Sequence, residues 1–563
     1  MASHDNDSSG AGHDRPATAD GAPAWSASGW SSWTWQDRAL VVGALLLAVY
    51  CALQILMLRF GRDQGIYAVV ADAVLDGGMP YREAWDFKPP GIFVVYTLVR
   101  GLLGRNEWGI RLVEAIGFLS LIPSFAVLTR RYVGDIRPGI LGGAFAVMIE
   151  GQLDFWHTAQ PESFGGVLTA WALVLGIADI PGGKPRAWYW GKLALAGGLL
   201  GAAGLMKPQL VGTCAVIAAH AIWQMRRQGK PLAWQVGTAI ALGAGAAASI
   251  GACLGWFALR GALGDLRQAL FVFAPGYAGT TWNRNNLVGF LFYGLQEWAT
   301  MSSVVAIGML AQIVLPPASS RERQLFWVVM STVGIHVLGI ALQSKFFQYH
   351  YGATLPLGAL LAGMGAWKGW QAAGRHGAWG LALYAVIGYV AFDGRAPVRD
   401  LAEPFRERAW ERTRTLLTGD AAAREALAEK YSSVADVDYG ANMRVAEWLD
   451  AHTTAQDKVF IWGFEPFIYE AAKRKPGSRF IYDVPQRVTW ENERSKQLLL
   501  DDLARSRPKA IVVEHNDVFP VVTGTWDDSA KSLEQFPQLQ RLIDDSYEYE
   551  TTIQDFDLYL RRD

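Results

Sequence analysis

The sequence predicts a polytopic α-helical membrane protein of about eleven transmembrane helices, followed by a C-terminal soluble α/β domain. Three observations carry that prediction. Of 563 residues, 51% are hydrophobic and only 18% charged. Apolar runs recur between residues 39 and 391, and a crossing needs about 20 apolar residues. Beyond residue 395 the pattern changes to short apolar strands alternating with amphipathic helices.

Taken in order, residues 1–37 are rich in Ser, Ala, Gly, Asp and His. They cannot bury enough apolar area to offset ordering and read as a disordered cytoplasmic tail. No basic segment followed by a cleavage site precedes the first apolar run, which therefore reads as an uncleaved anchor. Spans are expected near residues 39–58, 109–129, 139–153, 163–180, 192–206, 209–224, 234–259, 287–315, 325–343, 352–367 and 377–392. The stretch "GIFVVYTLVRGLLG", residues 91–104, is short and contains Arg100, so it reads as an interfacial helix.

Orientation follows from positive charge in short loops. The loops at 129–138, 181–192, 225–233, 316–324 and 368–376 hold thirteen Lys or Arg, including Lys184 and Arg186. Their short counterparts hold five: Lys207, Arg260, Arg267, Arg284 and Lys345. The amino terminus is then cytoplasmic, while the first loop (61–108) and the C-terminal segment lie outside. That gives a membrane domain over 38–395 and a periplasmic or extracellular α/β domain over 396–563. Composition rich in Trp, Ala, Gly and Arg points to a bacterial inner membrane.

In the C-terminal segment a helical connector is expected to about residue 430, then a helix at "NMRVAEWLDAHT". Strands are expected at "KVFIWG", "RFIYD" and "AIVVEH", helices at "EPFIYEAAKR" and "NERSKQLLLDDLARS", and a β-rich end at "YEYETTIQDFDLYLRR". Nearly continuous apolar strands separated by helices imply a mainly parallel sheet. Neither a GxGxxG nor a Walker-type loop follows the first strand, so nucleotide binding is not indicated. A net charge of −1 argues against a nucleic-acid partner. Cys51, Cys214 and Cys253 lie in apolar runs without metal-type spacing, which leaves neither a disulfide framework nor a zinc site.

Three outer loops concentrate the reactive side chains. The first, "GRDQGIYAVVADAVLDGGMPYREAWDFKPPG", supplies Arg62, Asp63 and Lys88. The second, "EGQLDFWHTAQPESF", supplies Glu150, Asp154, His157 and Glu162, and the third, "QSKFFQYHYGATLP", supplies Lys345, Tyr349, His350 and Tyr351. Lys207 joins them from the Pro-broken turn "GLMKPQ". Charge at membrane depth is tolerated chiefly where it lines a cavity. Carboxylates beside cations at a bilayer surface suit a substrate that is half lipid and half polar: a cation neutralises a phosphate while a carboxylate takes a proton from a hydroxyl. Pro89 and Pro90 hold Lys88 at the start of the interfacial helix.

These stretches, together with "NEWGIRLVEAIGFL", give residues 38–395 a sequence that resembles the GT-C superfamily of integral-membrane glycosyltransferases. The resemblance is to the polyprenyl-phosphate-sugar-dependent branch that includes protein O-mannosyltransferases and the lipid A aminoarabinose transferase. It implies transfer of a sugar from a polyprenyl phosphate on the outer face, with inversion. Asp63 looks like the catalytic base and Glu162 like the second-loop acid. Lys88 looks like the donor-phosphate lysine, and His350 with Tyr351 is similar to a cluster near the donor head group. Gln64 departs from the family's frequent acid pair, which weighs against a metal bridge, and no cofactor is expected; a divalent metal is not indicated.

The implied partners are a lipid-linked sugar donor, membrane lipid and an envelope glycan, lipid or protein acceptor. Plainer readings stand beside these. Lys88 and Lys207 are placed to snorkel, Glu162 to cap a helix, and His157, His350 and Tyr351 to form an interfacial aromatic belt. Two other functions fit the same composition: a flippase for lipid-linked saccharide, and a non-catalytic assembly protein on this scaffold.

Overall fold

The computed structural model describes residues 32–181, 187–282, 286–394, 403–433 and 437–562. Most of the predicted 1–37 tail, the predicted boundary at 395/396, and Lys184, Arg186 and Arg284 lie outside the described residues. The chain divides into a unit Met1–Gly43 and a unit Ala44–Asp563.

The apolar runs form helices α1 (Trp35–Leu56), α4 (Glu107–Leu119), α5 (Leu121–Tyr132), α6 (Arg137–His157), α7 (Pro161–Gly176), α8 (Ala187–Met206), α9 (Thr213–Arg227), α10 (Leu232–Leu259), α13 (Leu287–Thr300), α14 (Ser303–Val314), α15 (Ser320–Gln343), α16 (Leu355–Arg375) and α17 (Gly377–Asp393). Between them lie α2 (Arg62–Leu75), α3 (Gly91–Leu103), α11 (Leu263–Arg267) and α12 (Ala274–Gly279). Helix starts follow local chemistry. Asn106, Asn286 and Ser319 accept the backbone N–H three residues on, and Pro138, Pro161 and Pro356 occupy first-turn positions that need no donor.

A helix lies at each predicted span. Among the described residues four are long and apolar enough to cross a membrane: Trp35–Leu56, the joined α4–α5, Leu232–Leu259 and Ser320–Gln343. The predicted single span 287–315 is instead two helices, α13 and α14, meeting at 96°. Large apolar side chains on these helices face outward, among them Leu259, Val288, Ile313 and Trp379. Such surfaces are at home in hydrocarbon rather than water.

The C-terminal segment starts with α18 (Phe405–Thr418) and α19 (Ala421–Ala428). A two-residue ladder of β1 (Ser432–Ser433) and β2 (Val437–Asp438) then leads to α20 (Tyr439–His452). Its sheet contains β3 (Lys458–Trp462), β4 (Lys475–Pro476), β5 (Ala510–Glu514), β6 (Tyr547–Ile553) and β7 (Phe556–Arg561), in the order β4-β3-β5-β7-β6. The pairs β3/β4 and β3/β5 are parallel; β5/β7 and β6/β7 are antiparallel, so the sheet is mixed rather than mainly parallel. The terminal hairpin supplies the antiparallel half. Helices α21 (Phe467–Ala472) and α23 (Asn492–Ser506) fall where the sequence predicts them.

The predicted strand "RFIYD" is not a strand of this sheet. Its backbone is used elsewhere: Trp85 N donates to Arg479 O at 2.7 Å, and Trp85 bridges Phe480 in parallel. Trp85 also packs its ring on Phe273, Phe480 and Tyr482. One apolar cluster accordingly runs from the first loop into the C-terminal segment, taking in Tyr67, Trp85, Phe93, Phe464, Phe467 and Trp462.

Two glycines fix this seam. A Cβ at Gly65 would stand 2.7 Å from the Phe467 backbone, and one at Gly91 would stand 2.7 Å from the Leu205 backbone. Gly65 thus lets α2 touch α21, and Gly91 lets α3 touch the end of α8. Arg100 on α3 is fully buried, donating from Nε and Nη2 to Asp72 and from Nη1 and Nη2 to Glu470. The arginine that argues against a membrane span at 91–104 is the ionic joint of α2, α3 and α21.

Candidate active site

Asp63 sits in the first turn of α2, where the helix start favours a carboxylate. Its position is set by its neighbour in sequence. Gln64 accepts from Gly61 N and donates to Trp156 O at 2.9 Å and Thr158 O at 2.5 Å. The residue that departs from the acid pair is thus a cross-link between the first and second loops.

Lys88 Nζ lies 3.2 Å from Asp63 Oδ1 and 3.7 Å from Asp86 Oδ1, and 5.3 Å from the centre of the Tyr67 ring. Tyr81 Oη donates to Lys88 O at 2.8 Å, and Tyr482 Oη to Asp86 Oδ1 at 2.6 Å. Burial opposes the ammonium charge, but Asp63 and then Asp86 overcome it and raise Lys88 above its ordinary range. The other Asp63 oxygen accepts from Gln160 Nε2 at 3.2 Å, and Gln160 in turn accepts from Tyr67 Oη at 2.7 Å.

Glu162, at the start of α7, is 1% exposed and pairs with Lys207 Nζ at 2.9 Å. Lys207 precedes the 3₁₀ turn Pro208–Gly212, whose proline ends α8 in extended backbone. In the 3₁₀ turn Gln348–Tyr351, His350 Nδ1 donates to Lys345 O at 2.7 Å. Burial first, then the cations Lys207, Lys88 and Lys345, push the His350 imidazole well below its ordinary value. His350 is therefore neutral at physiological pH and offers Nε2 as an acceptor rather than a charge.

Arg62, Asp63, Lys88, Lys207 and His350 all line one cavity of about 640 Å³. That is the size class of small-molecule sites. Its remaining wall is largely apolar: Leu254 and Leu342 on the membrane helices, Leu266, Leu270 and Phe271 on the short helical stretch that follows α10, with Phe464, Phe519 and Val522 from the C-terminal segment. Within it the Arg62 guanidinium is held by Glu465, with Nε at 3.0 Å and Nη2 at 2.7 Å from one carboxylate oxygen, and lies over the Phe464 ring.

The other sequence-chosen residues lie off the cavity wall. His157 is buried between the Trp156 and Tyr349 rings, at 4.7 and 5.9 Å between ring centres. Lys345 donates to Thr280 Oγ1 at 2.6 Å and to Val521 O at 2.8 Å, and burial lowers it to about 8. Tyr351 is fully buried, 3.8 Å from where a Cβ on Gly294 would stand. Its neighbour Tyr349 takes the place expected of it on the wall. Burial and then Asp63 raise the Tyr349 hydroxyl well above its ordinary value, so it stays a donor.

Sequence reading named Tyr349 in the third loop without giving it a role, and missed Gln160, Tyr277, Phe464 and Phe519. Gln160 lies inside a quoted loop and was accessible to it; Phe464 and Phe519 carry no local signal. Among the described residues no group of three or more His, Cys, Asp and Glu side chains is arranged to hold a metal ion.

A bundle of apolar helices, a first loop that brings an acid and a lysine to a cavity wall, and a C-terminal mixed domain packed on that loop make up a fold the chain shares with two solved structures. Among solved structures the chain is similar to ArnT from Cupriavidus metallidurans. With undecaprenyl phosphate bound, that crystal structure matches at TM-score 0.56 and 14% identity, over 94% of this chain and 98% of that chain. The apo form matches at TM-score 0.55 and 15% identity, over 92% and 97%. An archaeal oligosaccharyltransferase from Archaeoglobus fulgidus reaches TM-score 0.42 at 13% identity, over 94% and 75%. No family model and no curated protein matches the chain.

Proposed function

We propose that the chain is an inverting glycosyltransferase that moves a sugar from a polyprenyl-phosphate donor to an acceptor hydroxyl at the outer face of a bacterial inner membrane. The observation that carries this reading is the Asp63–Lys88 pair, a base and a cation 3.2 Å apart on the wall of a mostly apolar cavity. The two crystal structures with the same fold support it: one of them holds a polyprenyl phosphate.

In this mechanism Asp63 takes the acceptor's proton as its oxygen attacks the anomeric carbon. The bond from that carbon to the phosphate oxygen breaks, and its electron pair leaves with the lipid phosphate. Lys88 and Lys207 take up the charge that develops there. Glu162, paired to Lys207, keeps that ammonium in place. His350 Nε2 and the Tyr349 hydroxyl hold the donor sugar. Displacement is direct, so configuration inverts. The two ammonium groups serve as the phosphate's counter-charge in place of a divalent cation.

The test is transfer of labelled sugar from a panel of short-chain polyprenyl-phosphate donors to membrane extract, by wild type and Asp63→Asn, with and without EDTA. Turnover lost in the variant with donor binding retained supports the assignment and names the sugar. Equal rates in the two proteins would sink it, and loss on EDTA treatment would replace the lysines by a metal.

The accompanying topology has eleven crossings, a cytoplasmic amino terminus and the C-terminal segment outside. Trp526 is 80% exposed, so a cysteine at that position in a Cys-free background labels with an impermeant maleimide from outside. Labelling only from the cytoplasmic side reverses the orientation.

A further inference from the structure

Helices α9 and α15 run antiparallel. Thr213 Oγ1 meets His336 Nε2 at 3.0 Å near one end of the pair, and Gln224 donates to Gln324 at 3.5 Å near the other. Between them lies a second cavity of about 620 Å³, lined from Ala215 and Ile335 at the end nearer the candidate active site to Arg227 and Arg323 at the far end. Twelve residues of α9 separate Ala215 from Arg227, which is about 18 Å of helix. One leaflet of hydrocarbon is about 15 Å deep. The groove is therefore as long as an acyl chain, apolar along its length and cationic where that chain would end.

The two arginines are exposed. Arg227 stacks on Trp223 with its guanidinium carbon 5.1 Å from the ring centre, and among the described residues neither arginine has a carboxylate within ion-pair distance. The nearby Glu322 is already used, by Lys368 at 2.6 Å and Ala318 N at 2.8 Å. His220, partway along, meets Tyr132 Oη at 3.0 Å and Gln224 Nε2 at 2.9 Å through its Nε2. Two unneutralised cations at the mouth of an apolar groove between membrane helices match the chemistry of an anionic lipid head group. The tryptophans Trp223 and Trp327 border the same groove, as aromatic residues do at a bilayer interface.

We infer that the α9/α15 groove binds one anionic diacyl glycerophospholipid from the leaflet at the arginine-rich end, opposite the candidate active site. Arg227 and Arg323 hold its phosphate, and the groove down to Ile335 takes an acyl chain. The inference does not depend on the glycosyltransferase reading.

Native mass spectrometry of the purified, delipidated full chain tests it, with equimolar phosphatidylglycerol and phosphatidylcholine of identical acyl chains. One retained phosphatidylglycerol is expected, favoured about tenfold over phosphatidylcholine, with the preference gone in the double variant Arg227→Gln/Arg323→Gln. Ala219→Trp, which fills the groove, removes the bound lipid while leaving the two arginines. Equal retention of the two lipids by wild type, or a preference unchanged in the double arginine variant, overturns the assignment. So does binding of inorganic phosphate without lipid, or a dimer mass that Ala219→Trp dissociates. Each variant is scored only as a monodisperse peak on gel filtration. The wild-type lipid comparison decides the question even if Ala219→Trp fails to fold.

Discussion

The cavity wall and the seam beside it use the same kinds of charge to opposite ends. Where the seam reaches the cavity, Arg62 gives two hydrogen bonds to Glu465, whose other oxygen accepts from Asn442 Nδ2 at 2.8 Å. Arg100 likewise gives four hydrogen bonds to Asp72 and Glu470. On the wall, Lys88 meets Asp63 through one close contact, and the further side chains on Asp63 are Gln160 and Tyr349. Forked arginine pairs with most of their lone pairs occupied are joints. A point-charge lysine beside a carboxylate with free acceptor capacity, on the wall of a cavity, is arranged to meet something else.

That contrast predicts different losses. The largest is on the wall: Asp63→Asn lowers transfer by about 10³-fold, within the range for a general base, while the melting curve stays in place. A variant that lost fold and activity together would move Asp63 to the joints. Next is the seam. Glu465→Ala leaves the Arg62 guanidinium buried and unpaired, and thermal or denaturant unfolding is expected to show a loss of about 3–5 kcal/mol. A loss below about 1 kcal/mol, the worth of an exposed pair, would erase the distinction.

Gln64→Glu is smaller and sharper, because it restores the acid pair but removes the donor to Trp156 O and Thr158 O. Its expected effect is a destabilisation of about 1–3 kcal/mol, with no gain of stimulation by Mn²⁺. Metal-dependent activity in this variant would show that position 64 belongs to the wall.

The smallest effect is at Lys345. Its two neutral acceptors do not offset burial, and its folded value of about 8 lies below the ordinary 10.5. Between those values the unfolded chain binds more protons than the folded one, so stability rises with pH from about 8 toward 10.5; below 8 the destabilisation is fully present. Lys345→Met abolishes the rise, and an unchanged slope in melting temperature across that window would refute it.

Most helices were legible because hydrocarbon demands long apolar runs, and the β-rich end because its composition is local; that it folds as a hairpin came from the structure. The reading of 287–315 as one continuous helix missed the break between Thr300 and Ser303, where apolarity alone cannot report a 96° bend. "RFIYD" was misread because an apolar pentamer has the same pattern whether its edge pairs with β3 or with the first loop. Of the candidate site, Asp63, Lys88, Glu162, Lys207 and His350 could be picked from three loops and a broken turn, since charge at membrane depth needs a reason. Lys345 was picked on the same ground and Tyr351 on the family resemblance, but Lys345 serves as a tie and Tyr351 as core.

The sequence by itself determined a helical membrane protein with reactive groups gathered in the loops between its helices and an α/β end, because burial pattern and charge placement are written residue by residue. Only the tertiary structure decided which charges became partners: Arg62 with Glu465, 403 positions apart, and Arg100 with Glu470, 370 apart. It also decided that Phe464, Phe519 and Val522 from the C-terminal segment close the cavity over Asp63 and Lys88. Contacts between distant segments follow from which surfaces pack, and Gly65 against Phe467 reads as an ordinary small residue until the two backbones meet.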